Sequence, residues 1–246
     1  MSAAQLPAAL LEQATAPYHP LGKFAWYSAR GKLGGDPVFA GLLQRGLIPA
    51  QARVLDIGCG QGLLAALLGS LDGTSAAERA WPVGWAPAPT GTQVHGIELM
   101  PRDVARAQQA LAHLGARARF TQGDMCVTDF GQADAVVILD VLHYVTHAEQ
   151  DAVLRRVRDA LVPGGRLLLR VGDAGERRGF AISQWVDRTV TRIRGHKVAP
   201  VYGRPLADWI AQLRKLGMQV EPRPMSQGTP FANVLLVAQR QGPEPA

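Results

Sequence analysis

Short, nearly continuous apolar runs separated by amphipathic stretches dominate this 246-residue chain, and that alternation leaves few architectures open. The runs are ARVLDIG (52–58), QVHGIEL (93–99), ARFTQGD (118–124), ADAVVILDV (133–141) and GRLLLRVG (165–172). They lack the strict apolar–polar alternation of a half-exposed strand, as expected for parallel strands covered on both faces. Between them, GLLAALLG, PRDVARAQQALAHLG and THAEQDAVLRRVRDALVPGG read as helices. Pro101 suits a first helical turn and Gly115 a C-terminal stop. Thr146 and Glu149 have capping-box spacing ahead of one apolar face of Val153, Leu154, Val157 and Leu161. The pattern predicts a three-layer α/β/α sandwich around a mostly parallel sheet. Its end differs: QVEPRPM (219–225) and FANVLLVAQR (231–240) are separated only by SQGTP. That is too short for a parallel crossover, so the last two strands should form an antiparallel hairpin.

Composition narrows the class further. Hydrophobic residues make up 47% of the chain, enough for a large core. No apolar run approaches the roughly 20 residues of a membrane span. The N-terminus lacks a signal-peptide pattern, so a cytoplasmic protein is expected. The two cysteines, Cys59 and Cys126, match neither a zinc ribbon nor a redox pair, so no metal is expected and a reduced compartment suits them. The net charge of +6 favours acidic partners, or simply serves solubility. Three segments follow: a helical extension over 1–49, a main domain over 50–240, and a disordered tail over 241–246. Inserts at 72–92 and 173–203 interrupt the main domain.

Directly after the first strand comes VLDIGCGQG (54–62). A chain turning from a buried strand into a helix needs positive φ and no Cβ wherever a ligand approaches the backbone, and Gly58, Gly60 and Gly62 provide this. The dinucleotide fingerprint would need glycine at position 63, where Leu63 stands, and the Walker lysine is absent. Asp56 would repel a pyrophosphate but suits a cation. Glu98, ending the second strand, can accept from both ribose hydroxyls. Asp124 can accept from an adenine amino group while Met125 packs on the ring. These residues point to a phosphate-free adenosyl ligand of neutral to positive charge, which S-adenosylmethionine is.

Five blocks in order, VLDIGCGQG (54–62), GIEL (96–99), QGDM (122–125), ADAVVILDVLHY (133–144) and LVPGGRLLLR (161–170), resemble the class I, Rossmann-like S-adenosylmethionine-dependent methyltransferases. The resemblance covers about 50–240 and implies a seven-stranded, mostly parallel sheet with an antiparallel last strand beside the fifth. It implies cofactor contacts from Asp56, Gly58, Cys59, Gly60, Gly62, Glu98, Leu99, Asp124, Met125 and Asp140. The 72–92 insert is a departure, since it moves Glu98 further along the chain than is usual in the family.

In this family the end of the fourth strand, here LDVLHY, faces the methyl group. His143 is the leading general-base candidate because imidazole titrates near neutral pH; packing or capping at the strand end is its structural alternative. Tyr144 would line the pocket. Asp140 either contacts the cofactor or holds a turn, and His147 should face solvent. Phe24, Trp26 and Tyr27 would form an aromatic wall with Arg30 or Lys32 meeting a carboxylate, unless these aromatics only pack a helix on the core. Trp185 and Tyr202 would add pocket walls in the second insert, beside a basic stretch containing Arg188 and Arg192. Trp81 and Trp85 form either a flap or a partner contact.

The reading that follows is a small-molecule methyltransferase acting on a hydroxyaryl or carrier-linked aryl or acyl acceptor. GKFAWYSARGKLGGDPVF (22–39) and GTPFANVLLV (228–237) are similar to methyltransferases accompanying bacterial aryl-polyene, xanthomonadin-type pigment pathways, which implies an acidic acyl-carrier protein as partner. An RNA or protein methyltransferase is the alternative; positive charge supports it, while the missing N-P-P-Y motif and RNA-binding module argue against a nucleic-acid partner. A non-catalytic adenosyl-ligand binding protein is a third reading.

Overall fold

The computed structural model describes residues 5–72, 81–172, 201–225 and 233–242. Trp185, Arg188, Arg192, most of the second insert and the SQGTP linker lie outside the described residues. Three helices come first, α1 (Ala8–Thr15), α2 (Lys23–Gly35) and α3 (Pro37–Gln44). The alternating region then runs β1 (Arg53–Ile57), α4 (Leu63–Gly69), β2 (Gln93–Glu98), α5 (Pro101–Ala110), β3 (Ala118–Gln122) and β4 (Ala133–Leu139). It continues with α6 (His147–Ala160), β5 (Leu161–Gly172), α7 (Leu206–Lys215), β6 (Met218–Pro224) and β7 (Asn233–Arg240).

All seven strands belong to one sheet in the order β3-β2-β1-β4-β5-β7-β6. β1 pairs parallel with β2, and β2 with β3, whereas β7 runs antiparallel to both β5 and β6. The expected antiparallel hairpin is present, and its second strand lies beside the fifth. Burial follows position in the sheet: Ala135 to Ile138 of β4 are fully buried, while edge strands β3 and β6 are mostly exposed. Pro222 and Pro224 sit in the edge strand β6, where a missing amide is tolerated.

The chain divides into two compact units, residues 1–137 and 138–246. In the first, α1 packs on α2 with Gly34 close to Leu11, and the apolar α4 buries Leu64 to Leu68. Residues 81–92 of the first insert are folded against this unit. Ala86 donates its amide to Gln44 O, Trp81 Nε1 donates to Ala86 O, and Gln51 donates its amide to Thr90 O. These contacts lie just before β1 and β2, at the ends opposite the glycine turn. That geometry excludes the described part of the insert, including Trp81 and Trp85, from a flap over the turn.

Two boundaries differ from the sequence expectation. α5 stops at Ala110, and residues 112–117 tighten into a 3-10 turn that bends at Gly115 (φ +56°). Leu161 caps α6 and opens β5 rather than extending the helical face. In the second unit the capping box is formed: Thr146 Oγ1 accepts the Glu149 amide, and Glu149 Oε2 accepts the Thr146 amide at 2.8 Å. Val153, Leu154 and Val157 are fully buried beneath it.

Candidate cofactor and active site

The first unit brings Asp56, the glycine turn, Glu98 and Asp124 to neighbouring strand ends. β1 and β2 are parallel in register, Asp56 opposite Gly96, so Gly58 begins the turn where Glu98 ends its strand. Gly58, Gly60 and Gly62 have φ values of +76°, +54° and +80°, the conformations the motif requires. Gly58 and Cys59 donate their amides to Ile97 O at 2.8 and 3.2 Å. Gly60 donates to Glu98 Oε2 at 2.9 Å, and Gly62 to Cys59 O at 2.9 Å. Four amides expected to face a ligand are therefore engaged inside the protein.

That corrects the expected role of Gly62. A Cβ there would come within 2.9 Å of the Phe120 ring and 3.0 Å of Leu111, so the missing side chain makes room for the core rather than a ligand. Around Gly60 a Cβ would meet nothing within 4 Å, which keeps it available for close approach. Gly96 is a position the sequence reading missed: its Cβ would collide with Cys59 Sγ and Phe120. A lone glycine inside an apolar strand was the available signal. Cys59 is buried, and burial followed by the charges of Asp56 and Glu98 pushes its thiol well up, so it stays protonated and packs.

Asp56 is 5% exposed, and burial, reinforced by the Glu98 charge, raises its carboxyl to about 7. Glu98 is half-buried and also accepts the Met100 amide on Oε1 at 2.9 Å. Each Glu98 oxygen keeps acceptor capacity beyond its one amide. Gly123 donates to Glu98 O, which sets Asp124 beside Glu98 at the next strand end. Asp124 is exposed and holds a tight turn by accepting the Cys126 amide on Oδ1 at 2.8 Å. Met125 is partly exposed next to it, and Leu99 is 61% exposed. This end of the unit is lined by carboxylates and partly exposed apolar side chains.

The N-terminal aromatics lie in the same unit. Tyr18 is fully buried and donates its hydroxyl to Gln61 O at 2.8 Å. Trp26 stacks on His19 with ring centres 4.2 Å apart and has Tyr27 at 4.6 Å. Phe24 and Tyr27 are each 61% exposed, and the Arg106 guanidinium lies 5.5 Å from the Phe24 ring. Arg30 and Lys32 meet carboxylates of the chain itself, Glu12 and Asp36.

In the second unit the β4 exit is held by an ion pair that the sequence reading did not foresee. Asp140 has φ +59°, rare for a non-glycine residue. Arg170, 2% exposed on β5, donates Nε to Asp140 Oδ1 at 2.8 Å and Nη2 to Oδ2. The Asp140 carboxylate thus pairs with Arg170 at the turn that follows β4. The single charge inside LLLRV was the visible clue. Leu142–Tyr144 then form one 3-10 turn in which the His143 and Tyr144 rings lie 4.2 Å apart. Tyr202 donates its amide to His143 O at 2.8 Å, and the buried Gln150 side chain donates to both Val145 O and Tyr202 O. His147 is exposed, as expected, and its Nε2 is 3.2 Å from Gly203 O. A separate cavity of about 360 Å³ is lined by His147, Arg204, Asp208 and Lys215 among others. No site residue expected from the sequence lines it.

Residues 55–167 match the family described as a methyltransferase domain. The ubiquinone biosynthesis O-methyltransferase of Xanthomonas axonopodis pv. citri is 28% identical over 193 residues, covering 76% of this chain and 70% of that protein. Among solved structures, an O-methyltransferase family protein from Burkholderia thailandensis superposes with TM-score 0.62 at 21% identity. That match covers 90% of this chain, which spans only 60% of its length. The magnesium protoporphyrin IX methyltransferase from Synechocystis PCC 6803, crystallised with SAH, gives TM-score 0.59 at 21% identity over 96% of both chains. The methyltransferase-domain match over 55–167, together with a seven-stranded sheet whose last strand runs antiparallel beside the fifth, gives this chain the Rossmann-like fold of the class I S-adenosylmethionine-dependent methyltransferases.

Proposed function

We propose that the chain transfers a methyl group from S-adenosylmethionine to a hydroxyl of a small hydroxyaryl acceptor, free or carrier-linked. The observation that carries the cofactor half is the electrostatics of the glycine turn. Its amides at 58, 59, 60 and 62 are engaged internally, while the carboxyls of Glu98 and Asp56 stand beside it, Asp56 raised to about 7 and so ionised only in part at neutral pH. Such a site favours a cation over a phosphate. Glu98 would take the ribose hydroxyls on its remaining acceptor positions, Asp124 the adenine amino group, and Leu99 and Met125 the ring faces.

S-adenosylmethionine, when bound, supplies an electrophilic methyl group on a sulfonium. What the protein adds is alignment and, for a hydroxyl nucleophile, a base. His143 is assigned that base, taking the hydroxyl proton as the new O–C bond forms. Tyr144 and Tyr202 are assigned to acceptor contacts within the second unit, and Trp26 and Tyr27 to an aromatic wall within the first. The acceptor assignment is supported by a relative named for O-methyl transfer and by exposed aromatics on α2.

Calorimetry with S-adenosylhomocysteine on wild type and Glu98→Ala tests the cofactor half, with at least about tenfold weaker binding expected for the variant, of the size seen when hydrogen bonds to a charged group are lost. Equal affinity removes Glu98 from the ribose site. His143→Ala with undiminished turnover removes the proposed base.

A further inference from the structure

We infer that Tyr18 is a positioning residue of the cofactor site, coupling occupancy of the glycine turn to the N-terminal segment that carries Trp26 and Tyr27. The inference rests on the cofactor reading above and extends it to a part of the chain outside the 55–167 methyltransferase match.

Gln61 lies between the two innermost glycines of the turn, Gly60 and Gly62. The Gly60 amide is tied to Glu98 Oε2, and the Gln61 carbonyl accepts the Tyr18 hydroxyl at 2.8 Å. The Gln61 side chain, 8% exposed, donates Nε2 to Ala25 O at 3.4 Å. Glu98 closes the chain of bonds by accepting the Met100 amide at the start of α5. One continuous network thus runs from the carboxylate assigned to the ribose, through the glycine turn, to residues 18 and 25. The peptide plane between Gln61 and Gly62 is held from both sides: the Gly62 amide donates to Cys59 O at 2.9 Å, and the Gln61 carbonyl accepts the Tyr18 hydroxyl. The fully buried Tyr18 thus ties this plane to the N-terminal segment.

Burial pushes the phenol of Tyr18 upward, so it donates as a neutral hydroxyl across the whole working pH range. Its hydrogen bond is therefore a fixed strut. A ligand that fills the turn and engages Glu98 has to fit the turn geometry that this strut sets. By reciprocity, ligand binding then stabilises the docked arrangement of residues 16–35. Trp26 and Tyr27, on the helix anchored at Ala25, take their positions from the same network. The consequence is a linkage: an occupied cofactor site and a tightened acceptor wall favour each other.

Tyr18→Phe keeps the ring and removes only the hydroxyl. The test compares full-length wild type and Tyr18→Phe by calorimetry, thermal melting and hydrogen exchange, each with and without S-adenosylhomocysteine. Coupling predicts at least about fivefold weaker binding in the variant, a smaller ligand-induced shift in melting temperature, and loss of ligand-induced protection over residues 16–35. A purely structural role would lower both melting curves equally and leave affinity and protection unchanged, which overturns the inference. Gln61→Met, which removes only the link to Ala25, should lose protection around α2 while retaining more affinity. It serves as the independent variant should Tyr18→Phe fail to fold; unchanged protection there also overturns the inference. Absence of wild-type binding would instead overturn the cofactor reading itself.

Discussion

The Gly60 backbone amide donates to Glu98 Oε2 at 2.9 Å, so the turn after β1 and the end of β2 are joined through the side chain assigned to ribose. Glu98 therefore has two functions, and substitutions can separate them. Glu98→Gln retains one oxygen for a backbone amide but loses the charge and half the acceptor capacity. It is expected to melt within a few degrees of wild type and to bind S-adenosylhomocysteine about tenfold or more weakly, the scale for hydrogen bonds to charged groups. Calorimetry beside melting curves checks this; retained affinity would contradict the assignment.

Asp56 gives the apo protein a pH signature. Its carboxyl lies near 7 in the folded state, against about 3.9 in an unfolded chain. Folding therefore favours the protonated form. The stability this contributes is fully present below about pH 4 and is lost as pH rises through about 7. Asp56→Asn removes the titration, so the variant should gain stability over wild type as pH increases, by on the order of 4 kcal/mol at pH 8. A bound sulfonium opposes the burial penalty, so S-adenosylmethionine should stabilise wild type more strongly as pH rises through 7, and Asp56→Asn should lose that trend. Melting between pH 5 and 8 measures both, and a pH-independent gap would contradict the account.

Gly60 and Gly62 look alike in sequence but face different surroundings. Gly62→Ala forces a Cβ against Phe120 and Leu111, adding overpacking to left-handed strain, for a loss of about 2–5 kcal/mol. Gly60→Ala meets only the backbone strain, about 1–2 kcal/mol. Denaturant unfolding of the two variants should show this inequality. S-adenosylhomocysteine affinity should suffer more at Gly60 than its stability loss explains.

Asp140 and Arg170 form a buried pair whose halves are unequal, because Arg170 is almost wholly enclosed and Asp140 is 30% exposed. Asp140→Ala leaves a buried guanidinium without its carboxylate and should cost about 3–5 kcal/mol. Asp140→Asn combined with Arg170→Met removes both charges while keeping a residue that tolerates positive φ, and should recover much of that loss. A double-mutant cycle by urea unfolding gives the coupling; additive losses would show the pair to be inconsequential.

Much of this architecture was legible because parallel strands buried on both faces leave continuous apolar runs, and a five-residue break before FANVLLV admits only a hairpin. The carboxylates at strand ends were legible for a similar reason: a charge terminating an apolar run has to sit at the sheet's edge. Contacts between segments distant in sequence were not. Tyr18 lies 43 residues from its partner Gln61, and no local pattern marks either residue as half of a pair. Asp140 illustrates the same limit, since its partner Arg170 lies 30 residues away and no local pattern joins the two. Gly62 shows that a motif position can be read correctly for its φ and wrongly for what occupies the missing Cβ.

Methyl transfer from S-adenosylmethionine to a hydroxyaryl oxygen is the activity proposed for this chain. Its most direct test is incubation of the full chain with methyl-labelled cofactor and a panel of phenols and catechols, the same units as carrier-protein thioesters, and total RNA. Label in an O-methyl ether of a hydroxyaryl acceptor, lost in His143→Ala, is the expected result. Label in RNA alone, or none anywhere despite measurable S-adenosylhomocysteine binding, would contradict it.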